Sequence, residues 1–231
     1  MLATPFAPTG GRLRRLLTPV VVGGLACTTA DLTRRRWGSA RTATSLVVVT
    51  VGTGWIERLG CRTGLPFGWY RYTTALRPAV GGVPVVVPAA WFAMALPARE
   101  TAHAALGERS NPTRRILLGA VAMTAWDLFL DPQMVREGYW IWARAGRYRG
   151  IPASNFAGWL VTSIGVMAVL EVVLPPADPV VDLVTEYTAM ATMEAVAFSV
   201  FFRDRVVAAV GSVAMLPMAA VALGRLVGRR A

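Results

Sequence analysis

Residues 156–174 read FAGWLVTSIGVMAVLEVVL and contain a single charged residue, Glu171. A helix of about 20 apolar residues crosses the hydrocarbon layer of a membrane, so this stretch predicts a transmembrane helix. Other stretches approach the same length and hydropathy. The predicted spans are residues 16–30, 43–59, 79–98, 116–130, 156–174, 183–202 and 206–227. The sequence therefore predicts an all-α integral membrane protein, a bundle of about seven transmembrane helices that forms one polytopic membrane domain over residues 1–231.

The composition agrees with a membrane location. The chain has 231 residues, of which 55% are hydrophobic and 16% charged, and its mean hydropathy is +0.48. The net charge of +11 comes from arginines that lie singly or in short clusters between apolar runs. This distribution is typical of loops between membrane spans and argues against nucleic-acid binding. We therefore expect a multi-pass protein of the cytoplasmic membrane, and a small excess of arginines on the N-terminal side favours a cytoplasmic N terminus.

The first predicted span has an alternative interpretation. Arg12, Arg14 and Arg15 precede a short apolar stretch, as they do in a secretory signal peptide. Residues 28–31, however, form a poor cleavage site, and an arginine cluster at residues 34–36 follows at once. We therefore expect this stretch to be a membrane span.

The rare residue types exclude several classes of enzyme. His103 is the single histidine, which excludes membrane di-iron hydroxylases and desaturases, because these hold their metals with many histidines. Cys27 and Cys61 form no metal or redox motif. Residues 52–57, GTGWIE, come nearest to a dinucleotide-binding loop, but Glu57 stands where the third glycine belongs. The sequence predicts no metal ion and no redox cofactor.

Asp127 and Asp131 are the strongest candidates for a chemical role. They lie four residues apart on the fourth predicted span, so one helix face presents both. Two carboxylates in low-dielectric surroundings do not both ionise readily, so we expect one to keep its proton and act as an acid beside a base. The alternatives are a structural hydrogen bond for Asp127 and a helix cap for Asp131, which precedes Pro132. The same pairing of a short polar residue with proline predicts helix starts after Asn111 and Asp178.

Other carboxylates also lie in or near predicted spans. Placing an ionisable side chain inside a membrane costs free energy, so each of these residues is a functional candidate. Glu57 borders the second span beside Arg58, so the alternative is an interfacial ion pair. Glu186 and Glu194 roughly share one face of the sixth span, and we expect them to line one cavity or to bind arginines. Glu171 lies near the end of its span and is expected to reach the membrane interface.

The tryptophans fall into two groups. The first lies in or beside predicted loops, where an interfacial aromatic belt explains it: Trp37, Trp69, Trp140 and Trp142. The second lies within or at the ends of spans: Trp55, Trp91, Trp126 and Trp159. An indole face stabilises a positive charge, so tryptophans beside buried carboxylic acids suit chemistry through a carbocation. The alternative is ordinary packing.

Several long motifs follow one another between residues 45 and 175. They are ERLGCRTGLPFG at 57–68, Tyr70 and Tyr72, GVP at 82–84, PAAW at 88–91, WDLFLDPQM at 126–134 and NFAGW at 155–159. With these motifs the chain resembles the membrane carotenoid biosynthesis family that includes bisanhydrobacterioruberin hydratase, a carotenoid 1',2'-hydratase. The resemblance implies an enzyme that adds water to the terminal C=C bond of an acyclic carotenoid end group, giving a tertiary alcohol without a redox cofactor. The partners it implies are the acyclic carotenoid, the lipid bilayer and other enzymes of carotenoid biosynthesis.

The implied reaction suggests roles for the candidate residues. An acid protonates the alkene, a tertiary cation forms, and water held by a base captures it. We expect Asp127, Asp131 and Glu57 to be the catalytic residues that move the protons. The expected substrate-binding residues are Phe67, Tyr70, Tyr72, Trp91, Trp126, Asn155, Trp159, Glu186 and Glu194. Within this set, we expect Asn155 to orient water and the three tryptophans to face the cation.

Two backbone features are expected to shape the binding site. The glycine-rich connection at residues 63–68 predicts irregular backbone that serves as a lid or mouth for the polyene, the alternative being a tight interfacial turn. Pro84 and Pro88, four residues apart in the third predicted span, are expected to bend that helix and open a groove.

Two other functions compete with hydration. Asp127 and Asp131 match the form of one magnesium-binding aspartate motif of membrane prenyltransferases, although the second, Asn-rich motif of that superfamily is missing. Such an enzyme would need magnesium and would lose activity with a chelator. The other alternative is a non-catalytic membrane subunit that binds a carotenoid or lipid, for which pigment binding would persist in an Asp127→Asn variant while pigment composition stayed unchanged.

Overall fold

A computed structural model of the protein describes residues 6–8, 10–175 and 177–228. The helices in this part of the chain are α1 (Arg12–Trp37), α2 (Ser39–Thr63), α3 (Val86–Leu106), α4 (Pro112–Arg136), α5 (Ala153–Val173), α6 (Val181–Val196) and α7 (Arg205–Gly228). A π-helical turn, Ala197–Phe201, extends α6, and a short 3-10 turn, Gly107–Arg109, follows α3. The strands are β1 (Tyr70–Tyr72), β2 (Ala79–Val80), β3 (Val83–Pro84) and β4 (Trp140–Trp142). The predicted all-helical class is therefore confirmed, with short strands added in the connections.

Three of the helices support the predicted membrane location. Among the residues that the structure describes, α1, α5 and α7 are long and apolar enough to cross a membrane. The stretch quoted first above forms α5 almost over its whole length. The other four helices overlap predicted spans but do not reach the same limits of length, hydropathy and charge.

The third predicted span begins too early. Residues 79–84 form the hairpin β2–β3, in which Gly81 and Gly82 take φ values of +60° and +88°. Glycine adopts such angles without strain, and a pair of them suits a two-residue hairpin turn. Helix α3 begins only at Val86, so Pro84 lies in a strand and Pro88 in the first helical turn, where proline is tolerated. The bend predicted from these two prolines is therefore wrong.

The predicted helix starts have different outcomes. Asn111 caps α4, since its side chain accepts a hydrogen bond from the Arg114 backbone N–H at 2.9 Å. Asp131 caps nothing, because α4 continues through Pro132 to Arg136. Proline removes a donor from the helix, and the carbonyl of Leu128 that it leaves free accepts from the Tyr148 hydroxyl at 2.8 Å. The start after Asp178 is also wrong, because α6 begins at Val181 with Val180 at its cap position.

The start of α3 and α5 and the end of α2 and α4 meet at one end of the bundle, where residues of all four helices line a common space. Two connections meet above this end, because β1, between α2 and α3, pairs antiparallel with β4, between α4 and α5. Tyr70 lies opposite Trp142 and Tyr72 opposite Trp140. We call this pair of strands the aromatic ribbon. It closes the end of the bundle where the predicted site residues lie.

The opposite end of the bundle is held by buried charges. Arg99 and Glu100, neighbours on α3, form an ion pair at 2.5 Å, and Arg115 on α4 pairs with Glu171 on α5. The Arg99 guanidinium also lies 5.6 Å from the ring centre of Trp37. Glu171 therefore binds arginines between helices instead of reaching the interface, and Trp37 packs inside instead of joining a belt. These ion pairs join α3, α4 and α5. The pairing stabilises the buried charges, because an unpaired charge in the interior would lower the stability of the fold.

Candidate active site

Asp127 and Asp131 meet a single amide group at the covered end of the bundle. The Asn155 Nδ2 group, in the first turn of α5, donates to Asp127 Oδ2 at 2.7 Å and to Asp131 Oδ2 at 2.6 Å. The i, i+4 spacing on α4 places both carboxyl groups on one face, as the sequence predicts. Asp127 is fully buried and Asp131 is 2% exposed, and the Asp127 Oδ1 atom has no hydrogen-bond partner among the residues that the structure describes. The shared amide N–H groups bring the two carboxyl groups together away from bulk water.

Glu57, near the end of α2, is held differently. Its carboxylate accepts hydrogen bonds from the hydroxyl of Tyr70, from the hydroxyl of Tyr72 at 2.7 Å and from Trp91 Nε1 at 3.0 Å. An indole N–H can only donate. Burial and the nearby Glu57 charge raise the pKa of Tyr70 and of Tyr72 far above the ordinary value, so both phenols keep the protons that they donate. Three donors on one side chain favour an ionised acceptor, because hydrogen bonds to a charged group are the stronger ones. The sequence alternative, an ion pair between Glu57 and Arg58, is therefore wrong.

A cavity separates these two arrangements. It holds about 660 Å³ of empty space, a volume that includes the open solvent at its mouth. Glu57, Asp131 and Asn155 line it, whereas Asp127 lies behind Asp131 and does not. The other lining residues include Thr18 and Val22 of α1, Val86, Val87 and Ala90 of α3, Leu130 and Met134 of α4, and Leu76. We call this space the inner cavity.

Five tryptophans line the inner cavity. Trp91 and Trp159 stack with ring centres 4.0 Å apart and an interplanar angle of 18°, and Trp126 meets Trp159 edge-on at 6.2 Å. The other two are Trp140 and Trp142 of the aromatic ribbon. The interfacial belt predicted for these two is wrong, because their rings point into the bundle, where Tyr70 and Tyr72 pack against them.

Phe67 brings the glycine-rich connection into the same site. The side chain of Phe67 is buried and lines the inner cavity. This position depends on Gly158 of α5, where a Cβ atom would lie 2.7 Å from the Phe67 ring and 2.8 Å from the Pro66 carbonyl oxygen. The connection at residues 63–68 is a tight turn that packs against protein on one side through Gly64 and Phe67, whereas Thr63 and Leu65 are exposed.

Glu186 and Glu194 lie outside the inner cavity. Glu186 accepts from the Thr29 hydroxyl at 3.2 Å and belongs to the contact between α1 and α6. Glu194 lines a second cavity, with about 1390 Å³ of empty space including its open side. We call it the outer cavity. The prediction that these two carboxylates line one cavity or bind arginines is wrong, because they point to different places and neither forms an ion pair with an arginine of the described part of the chain.

Sequence reasoning missed Trp140, Trp142 and the α1 residues Thr18 and Val22. The signal for the ribbon was present in two three-residue patterns, Tyr-Arg-Tyr at 70–72 and Trp-Ile-Trp at 140–142. Alternation with a period of two places both aromatic residues of each pattern on one face of a strand. Nothing comparable marks Thr18 or Val22, which contribute only through the packing of α1.

The comparison with family models decides the family. A model described as carotenoid biosynthesis protein matches residues 16–228, nearly all of the chain. The chain belongs to the carotenoid biosynthesis protein family. The family resemblance inferred from the motifs is thereby confirmed, and the match covers the elements that build the inner and outer cavities.

Among curated proteins, the chain is similar to bisanhydrobacterioruberin hydratase of Haloarcula japonica. It is 38% identical over 132 residues, which cover 56% of this chain and 44% of the relative. The chain thus spans less than half the length of that relative. No solved structure matches the chain.

Proposed function

We propose that this carotenoid biosynthesis protein adds water across the terminal C=C bond of an acyclic carotenoid end group. The observation that carries the proposal is the inner cavity, which is lined by Asp131 of the acid pair, by the Glu57 carboxylate held by three donors and by five tryptophans. The name of the 38% identical relative, a hydratase, supports the same chemistry. A tertiary alcohol is the product.

We further propose that all seven helices cross the cytoplasmic membrane as one multi-pass domain. The 25 residues of α4 give a helix of about 37 Å at 1.5 Å per residue, enough for the hydrocarbon layer. Polar residues inside membrane spans normally face the protein interior, and the charged residues Arg99, Glu100 and Arg115 are all buried against one another or against the chain. With the N terminus in the cytoplasm, the aromatic ribbon lies on the cytoplasmic side.

Asp131 is the proton donor in this proposal. Asp131 lines the inner cavity, whereas Asp127 does not. Asp127 is linked to Asp131 through the Asn155 amide, so only Asp131 reaches a substrate. Two carboxyl groups sharing one amide in a dry interior do not both carry a charge, which keeps a proton available. Both Asn155 N–H donors are engaged with these carboxyl groups, so Asn155 positions the acid pair with its N–H₂ group and orients water through its Oδ1 atom, which accepts a hydrogen bond. Asp127 is a positioning residue, because it does not reach the substrate.

Protonation of the terminal CH carbon by Asp131 converts the C=C bond into a C–H bond and leaves a cation at the tertiary carbon. The stacked faces of Trp91 and Trp159 and the Glu57 charge stabilise this cation without binding it covalently. Phe67, Tyr70 and Tyr72 narrow the cavity around the end group, so that little water enters. The aromatic lining thereby favours one product over loss of a proton from the cation.

Water then forms the new C–O bond and gives one proton to Glu57. N–H groups are available for this water, because the indole nitrogens of Trp126 and Trp142 are buried without a hydrogen-bond partner in the described part of the chain. After the reaction Asp131 is ionised and Glu57 protonated, so a proton returns between them before the next turnover. No oxidation or reduction occurs, and the electron pair of the alkene ends in the new C–H bond.

The acid pair does not suit the magnesium site of a prenyltransferase. The neighbouring Asp127 and Asp131 oxygens point at an amide N–H₂ group, whereas magnesium requires oxygen ligands in that place. A pigment-binding subunit without activity remains as the outcome of a negative test. It would use the same cavities, with the carboxyl groups as buried structural groups.

The test is expression in cells that accumulate either lycopene or bisanhydrobacterioruberin, with chromatography and mass spectrometry of the extracted pigments. We expect a product heavier by one water for each modified end, and none with Asp131→Asn. Asp127→Asn should retain measurable conversion, because that residue does not contact the substrate. Unchanged pigments from a protein verified as folded in the membrane, with both substrates supplied, would refute the proposal and leave pigment binding as the function.

A further inference from the structure

One face of α2 is turned away from the rest of the bundle. Val51 is 66% exposed and Trp55 is 65% exposed, although both are large apolar residues. Arg58, which is half-buried, and Arg62, which is exposed, follow on the same face, because spacings of four, three and four residues keep side chains on one side of a helix. The face therefore passes from valine through tryptophan to arginine. A membrane changes in the same order from acyl chains through its interface to the lipid headgroups.

The arginines of this face have no carboxylate partner in the described part of the chain. Glu57, the sequence neighbour of Arg58, turns to the inner cavity, and neither Arg58 nor Arg62 forms an ion pair with a described residue. Arg58 Nη1 lies against the turn of the hairpin β2–β3, since a Cβ atom on Gly81 would be 1.8 Å from it. Arg77, just before this hairpin, is exposed and adds a further positive charge. Like charges at i and i+4 destabilise a helix, so this surface favours an anion as its partner.

A groove between α2 and α5 begins beside these arginines. Gly52, Ile56 and Leu59 of α2 line one side and Gly165 of α5 lies on the other, and no charged residue takes part in the lining. Leu59 precedes Arg62 by three residues, so the groove borders on the arginine at that end. The groove holds about 840 Å³ of empty space including its open side. An apolar groove that opens toward the membrane fits a hydrocarbon chain.

We propose that an anionic phospholipid binds here, with its phosphate at Arg58 and Arg62 and one acyl chain in the groove between α2 and α5. Guanidinium groups bind phosphate oxygens through strong, charge-assisted hydrogen bonds. A zwitterionic headgroup would bring a positive group close to the arginines, so a headgroup with a net negative charge is favoured. Anionic lipids collect in the cytoplasmic leaflet, on the side proposed above for the aromatic ribbon. The inference rests on the proposal that α2 and α5 cross the membrane and does not depend on hydration.

The test measures which lipid stays with the protein. The full chain is reconstituted in vesicles of equal parts phosphatidylglycerol and phosphatidylcholine and extracted in mild detergent, and the retained lipids are quantified by mass spectrometry. We expect phosphatidylglycerol to be enriched about tenfold over phosphatidylcholine. The double variant Arg58→Gln, Arg62→Gln should lose this enrichment. The matched control is Arg34→Gln, Arg35→Gln, which removes the same charge from arginines that Asp31 already pairs and should keep the enrichment.

Filling the groove tests the acyl chain separately from the headgroup. A Cβ atom at Gly52 would meet no atom within 4 Å, so Gly52→Leu occupies the groove without displacing the fold. It should lower the retained phosphatidylglycerol to the level of the double arginine variant, whereas Gly24→Leu, equally unhindered on α1, should not. Excess glycerol phosphate, which has the charge but no acyl chain, should not displace the lipid.

Four results would each overturn the inference. They are equal retention of both lipids by the unsubstituted protein, unchanged enrichment in the double arginine variant, unchanged retention in Gly52→Leu, and displacement of the lipid by glycerol phosphate. Conversion of pigment plays no part in this test, so its result leaves the proposed hydration to be judged by the pigment assay alone.

Discussion

Replacement of Glu57 by glutamine tests the electrostatic role of the α2 carboxylate. Glutamine has nearly the same shape but no charge. For a cation about 6 Å from the carboxylate and an effective dielectric constant of about 20, Coulomb's law gives an attraction of roughly 3 kcal/mol. Because about 1.4 kcal/mol corresponds to a factor of ten in rate, Glu57→Gln should lower the rate of hydration about 100-fold.

The hydrogen bonds around Glu57 refine the expectation. Tyr70, Tyr72 and Trp91 all donate to this side chain, and one glutamine amide group would present N–H donors to them. One buried donor is then left without an acceptor, which costs about 1–3 kcal/mol of folding stability. Glu57→Gln should therefore also unfold at a lower temperature. Tyr72→Phe removes one donor, keeps the charge and should cost less than about tenfold in rate.

The assay is single-turnover conversion of the carotenoid by membrane vesicles at saturating enzyme, with the amount of folded protein measured independently. Temperature of unfolding, followed in detergent by tryptophan fluorescence, separates loss of fold from loss of rate. If Glu57→Gln converts pigment within threefold of the unsubstituted protein, the carboxylate neither stabilises a cation nor accepts a proton. A larger loss in Tyr72→Phe than in Glu57→Gln would likewise contradict the assigned charge effect.

Three further predictions concern packing, stability and metal. Gly158→Ala should lower conversion by at least tenfold or so by displacing Phe67, whereas Gly165→Ala, whose Cβ would meet no atom within 4 Å, should leave conversion unchanged in the same pigment assay. Arg14→Met leaves the buried Glu137 carboxylate unpaired and should destabilise the fold by about 3–5 kcal/mol in a denaturation assay, an effect that an added Glu137→Leu should largely reverse. Treatment with a strong chelator should not change conversion, and a loss restored by magnesium alone would favour the prenyltransferase interpretation.

The parts of the site that the sequence predicted well depend on local geometry. Asp127 and Asp131 share a helix face because any helix places residues i and i+4 side by side, whatever surrounds it. Asn155 and Trp159 follow the same rule in the first turns of α5, and both lie in the inner cavity. The apolar length of residues 156–174 likewise identified a membrane-length helix without reference to the rest of the chain.

The parts that the sequence did not predict depend on contacts between distant segments. Trp140 and Trp142 looked like interface residues because their partners, Tyr72 and Tyr70, lie some 70 positions earlier in the chain. Pro132 looked like the end of a helix, because the sequence does not show that the Tyr148 hydroxyl satisfies the freed carbonyl of Leu128.

The charges at the opposite end of the bundle were missed for the same reason. Glu171 looked like a residue that reaches the interface because its partners Arg99 and Arg115 belong to other helices. An ion pair between helices has no signature in the spacing along either one. Only packing decides whether a carboxylate at a span end meets water or an arginine.

The aromatic ribbon bears on how the site keeps its geometry in bilayers of different thickness. Helices respond to a thicker or thinner membrane by tilting, and tilting changes the distances between their ends. Glu57 is fixed to the ribbon through Tyr70 and Tyr72, and Asp131 lies next to Trp140 on the paired strand. The spacing of neighbouring strands is about 4.8 Å in any sheet. The distance between the proposed proton donor, Asp131, and the proposed acceptor, Glu57, is therefore set by backbone pairing above the bundle, and we expect the rate of the proposed hydration to stay the same when the lipid chain length changes.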